Sequence, residues 1–90
     1  MSGFFDKLPI DLASEAEKLS ALIHDLREDR KVVLARHAAS DEAALLAMIA
    51  SGSIPEHPAY DDYLSAKALL VAYAAARESL SELLASGGRR

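Results

Sequence analysis

From Tyr63 onward the chain sets an apolar or small residue at alternating steps of three and four: Tyr63, Ala66, Leu70, Tyr73, then Leu80 and Leu84, with Arg77 standing in the same ladder. Steps of this kind keep side chains on one narrow face of a helix, and such a face must be buried against another helix. Leu69, Ala76 and Leu83 form a flank beside this seam, which makes the apolar surface wider than one partner helix covers. The pattern predicts a long third helix over 58–86. Pro58 suits its first position, His57 its cap, and Gly87-Gly88 its end.

A second ladder, Leu12, Ala16, Leu19, Ile23, Leu26, Arg30, Val33 and His37, predicts a first helix over 11–38, flanked by Leu22 and Leu34. Asp11 and Ser14 both offer capping oxygens at its start, and Ser14 with Glu17 has capping-box spacing. Between these long elements, Ser40 followed by Asp41 and Glu42 reads as a cap with acids in the first turn of a short helix over 41–51. Leu45, Leu46, Met48 and Ile49 are its apolar side, and Gly52 sits where a left-handed residue ends a helix. Ile54, in the linker before Pro55, is expected to plug the core. Residues 1–10 form an apolar lead-in expected to fold back on the helices, and 87–90 a flexible tail.

The fold class is therefore all-α, a single domain of long, short and long helices. The first and third helices match in length and are expected to form an antiparallel hairpin. Composition changes this picture in one respect. Ninety residues bury a limited fraction of their surface, and without cysteine the chain has neither disulfides nor thiolate metal ligands to supplement a small core. A homodimer that completes a helical bundle is the expected remedy.

The formal charge of −4 excludes the basic footprint of a nucleic-acid binder. The longest apolar run, residues 68–76, is about half of what a bilayer span requires, so no membrane partner is expected. The start Met1-Ser2-Gly3-Phe4-Phe5-Asp6-Lys7 lacks the features of a secretion signal, which leaves the cytoplasm as the expected location.

Candidate chemistry centres on Arg30 and Arg77, because each occupies a ladder position that an apolar side chain would otherwise fill. They could be structural ion pairs, with Asp25 and, farther off, Glu17 as candidate partners of Arg77, or they could bind an anionic small molecule through guanidinium forks. A long-short-long helical chain with arginines in the bundle resembles in outline the small helical chorismate mutases. That resemblance implies a dicarboxylate site between helices. The pattern departs from it in that the second helix has no Arg or Lys and the chain has no Gln or Asn.

For a metal-binding bundle, a further alternative, His24, Glu28 and Glu17 are the best available set, although three side chains would have to converge on one point. His37 and His57 are expected at helix ends, each bonding a free backbone group. Tyr60, Tyr63 and Tyr73 read as core residues, or as the walls of a pocket beside His57, Asp61 and Asp62 where acid and imidazole could work together. Phe4 and Phe5 could dock on a larger partner protein. No nucleotide-binding, nucleophile-triad or cofactor motif is present, so no cofactor is expected. The expected function is that of a small, non-catalytic interaction or regulatory protein that presents helical surface as a homo-oligomer.

Overall fold

A computed structural model describes residues 10–88, and three helices account for most of them: α1 (Ile10–Ala35), α2 (Glu42–Ala50) and α3 (Glu56–Gly88). α1 and α2 both pack against α3. Arg36 and His37 at the end of α1 reach Asp62 near the start of α3, while Ile23 lies beside Leu80 and Leu84. The two long helices are thus antiparallel. The result is a rod 55 × 20 × 15 Å, as long as its longest helix requires at about 1.5 Å per residue.

α1 buries the stripe its ladder predicts, with Ala16, Val33 and Leu34 enclosed and Leu12, Leu19, Ile23 and Leu26 half-covered. α3 covers Tyr63, Ala66, Tyr73, Leu80 and Leu84 of the expected seam, but at Leu70 and Arg77 the seam gives way to the flank residues Leu69 and Ala76. Ala59, Tyr63, Ala66, Leu69, Tyr73, Ala76, Leu80 and Leu83 face inward to differing degrees, while Leu70 and Arg77 are exposed. Both ladders have steps of three and four, but choosing Leu69 and Ala76 keeps a guanidinium out of the seam. Desolvating that charge without a partner would be costly.

The core sits at one end. Val33, Leu34, Leu45, Ala59 and Ala66 form it, with Ile49, Ile54, Tyr63 and Leu69 packed around them. Leu45 of α2 is fully enclosed, and Ile54 plugs the core as the linker pattern indicates.

Backbone closures explain where the elements stop. After Ala35 the chain makes a Schellman closure: Ala38 N–H donates to Ala35 O at 3.1 Å and Ala39 N–H to Leu34 O at 3.1 Å, with Ala38 in the left-handed region at φ 53°. Helical hydrogen bonding therefore reaches the expected limit near 38, in a tightened last turn. α2 ends the same way, Gly52 N–H donating to Ile49 O and Ser53 N–H to Met48 O, with Gly52 at φ 79°. The cap of α2 is Asp41 rather than Ser40, its Oδ1 accepting from Ala44 N–H at 2.8 Å.

Ser14 and Glu17 make no capping box, because α1 is already helical at Ile10 and both lie within it. His57 is extended (φ −109°, ψ 129°), as a residue before proline prefers, and α3 runs unbroken from Pro58. It continues through Gly87 to Gly88, since glycine weakens a helix without forbidding one. Phe4, Phe5, most of the lead-in and residues 89–90 lie outside the described residues.

Candidate functional site

Arg30 lies on the buried stripe of α1, one turn before the core. The loop 36–41 folds α2 back so that its first turn comes beside this position. There Glu42 receives Arg30 in a two-pronged pair: Nη2 donates to Oε1 at 2.6 Å, and Nε to Oε2. Both side chains are largely covered, at 23% and 12% exposure. Hydrogen bonding from Arg30 is the chief reason Glu42 titrates below the ordinary carboxylate value, burial acting in the opposite direction. The same bond raises Arg30, against burial. Sequence spacing alone did not suggest Glu42 as the partner, because it lies twelve residues away on another element.

A second lock joins α1 to α3. Asp62 Oδ2 lies 2.8 Å from His37 Nε2, and its Oδ1 accepts from Arg36 Nη1 at 3.2 Å. His37 is at a helix end as expected, but its partner is this carboxylate rather than a backbone group. The contact also divides the expected group near the linker. Asp62 turns toward α1, whereas His57 and Asp61 are exposed and 4.0 Å apart. Tyr60 and Tyr63 stack with ring centres 5.9 Å apart, and Lys67 Nζ lies 5.6 Å from the centre of the Tyr63 ring.

Arg77 behaves differently from Arg30. It is exposed, lies 5.7 Å over the Tyr73 ring, and makes no ion pair among the described residues, with Asp25 or any other acid. It edges a shallow groove between the long helices lined by Ile23, Leu80, Ser81 and Leu84. Arg30 does not line that groove, so the structure does not bring the two arginines into one cavity.

Of the proposed metal set, His24 and Glu17 are exposed and Glu28 pairs with Lys31 at 3.1 Å. Among the described residues no three His, Asp or Glu side chains gather as a metal site. No buried side-chain nitrogen or oxygen there lacks a hydrogen-bond partner. The half-covered charges thus fasten helix to helix, a structural use of their chemistry.

What remains open is apolar surface. Tyr60, Leu64, Leu70 and Val71 are exposed on α3, Val71 to 68%, and Leu22, Val32 and Leu46 on the other helices. Among the described residues no helix is long and apolar enough to cross a membrane. No curated protein and no solved structure matches the sequence. A family model matches residues 11–88, nearly the whole of the three-helix unit, and the chain belongs to that family, described as the Uncharacterized protein MJ0235 family.

Proposed function

We propose that the chain is a non-catalytic helical association protein of the cytoplasm that works as a homodimer and presents helical surface to its partners. The observation that carries this reading is the balance of covered and uncovered surface. Among the described residues only seven are buried and four of these are alanine, while seven large apolar side chains are exposed, four of them on α3. Scattered exposed apolar residues are ordinary in a monomer, but a concentration of them on one helix of a thin rod marks an association surface. The test is native mass by light scattering from nanomolar to high micromolar protein. A mass of twice the chain that falls on dilution supports the reading, and a monomer at every concentration defeats it.

Arg77 supports a second reading, the binding of an anion with an apolar portion, because its guanidinium makes no ion pair among the described residues and stands beside the Ile23, Leu80 and Leu84 groove. Calorimetry with an aliphatic dicarboxylate tests it. Heat that is lost in Arg77→Gln, with thermal stability unchanged, would establish the site, and no heat in the parent chain would remove it.

A further inference from the structure

α3 carries a second ladder on its uncovered side. Tyr60, Leu64, Lys67 and Val71 follow one another at steps of four, three and four, and Ala74, Glu78, Ser81 and Ala85 continue with three, four, three and four. All eight are exposed, and among them Ser81 also edges the groove beside Ile23 of α1. Its two halves differ in kind: the first holds the large side chains and a cation, the second small side chains and an anion.

We infer that this stripe is the face on which a second copy docks, α3 against α3 in antiparallel orientation about a two-fold axis between Val71 and Ala74. The inference rests on the homodimer reading above and specifies its geometry. With the axis there, residue numbers across the interface sum to 145. Val71 then meets Ala74 of the other copy, Lys67 meets Glu78, Leu64 meets Ser81 and Tyr60 meets Ala85. Every large side chain faces a small one, the arrangement that lets helices interdigitate without voids. The one cation faces the one anion, and symmetry makes that pair twice.

Lys67 acts on Glu42 of its own chain only as a more distant charge that helps hold that carboxyl below its ordinary value. Lys67 lies over Tyr63, and neither Lys67 nor Glu78 forms an ion pair among the described residues. They cannot meet on one helix, being eleven residues and about 16 Å apart along it. A parallel arrangement would set Lys67 on Lys67, Glu78 on Glu78 and Ala74 on Ala74, which combines repulsion with gaps. An isologous interface of this kind also closes on itself, so assembly stops at two.

The chain lacks cysteine, so cross-linking reads the geometry directly. A mixture of Leu64→Cys chains and Ser81→Cys chains should oxidise to mixed dimers, while neither alone cross-links, because like positions lie about 25 Å apart across the axis. Charge exchange gives an independent reading. Lys67→Glu and Glu78→Lys should each weaken dimerisation roughly tenfold or more, and the two changes together in one chain should restore it to within about threefold of the parent. Helical content by circular dichroism verifies that each variant is folded.

A dimer indifferent to both charge changes, with no Leu64→Cys to Ser81→Cys link, would overturn the proposed face while leaving the homodimer reading standing. Self-linking of Leu64→Cys chains would overturn the antiparallel orientation. A parent chain that stays monomeric at high micromolar concentration would remove both the face and the homodimer.

Discussion

Arg30 and Arg77 occupy similar places in the hydrophobic ladders of their helices, yet only one is enclosed. Arg30 is held because α2 delivers Glu42 to it, and a paired fork of this kind keeps its strength where water is largely excluded. Glu42→Gln should lower stability by about 1–3 kcal/mol, since it leaves a mostly covered guanidinium with a weaker partner. Urea denaturation at neutral pH measures this. The Glu42 carboxyl titrates below its ordinary value of 4.5 in the folded chain. Its contribution is therefore complete above that value and is lost as pH falls through the lowered folded one. The stability gap between parent and Glu42→Gln should accordingly narrow in acid, and a gap unchanged at pH 2 would contradict the pairing. Arg77→Ala, by contrast, removes a solvated charge and one ring contact, so thermal melting should register a change under about 1 kcal/mol.

The helices are delimited by two closures of the same form, one of which carries a strained residue. Ala38 adopts φ 53°, a conformation that costs a residue with a Cβ roughly 1 kcal/mol relative to glycine. Ala38→Gly should raise stability by about 0.5–1 kcal/mol, partly offset by the greater freedom glycine has in the unfolded chain. Gly52 is the converse case. It has open space where a Cβ would stand, so the effect of Gly52→Ala comes from φ 79° alone, and a loss of about 1 kcal/mol is expected. At the other end of α2, Asp41→Ala removes the acceptor for Ala44 N–H and should cost about 0.5–2 kcal/mol. Thermal melts resolve all three, since 1 kcal/mol moves a domain of this size by about 4–8 °C.

At the scale of the whole molecule the rod is unevenly built. The core and both interhelical locks lie where α2 meets the hairpin, whereas away from that end, among the described residues, only Ala16 and Ala76 are enclosed. Few buried contacts mean a low cost of local opening. At concentrations where the chain is monomeric, backbone amides of residues 15–28 and 72–85 should exchange hydrogen faster than those of 30–35, 44–49 and 59–69. Equal protection along the whole of α3 would show that the rod opens as one cooperative unit. Docking of a second copy on the outer ladder of α3 would slow exchange in residues 72–85.

Much of this architecture was determined by the sequence alone. Proline and glycine placement, capping residues and the spacing of apolar positions act within a few residues of chain, which is why three helices, the left-handed Gly52, the Ile54 plug and the hairpin of α1 with α3 were all legible. The tertiary structure decided what lies opposite what. A ladder with steps of three and four can be drawn through Leu70 and Arg77 or through Leu69 and Ala76, and the spacing treats them alike. Rotation of α3 against α1 chooses between them, through the cost of burying a guanidinium. The partners of Arg30 and His37 were hidden for the same reason: Glu42 and Asp62 are brought to them by helix packing, from 12 and 25 residues away. Local chemistry sets each helix and its ends, while the charges that join helices and the surface left uncovered exist only once those helices are packed.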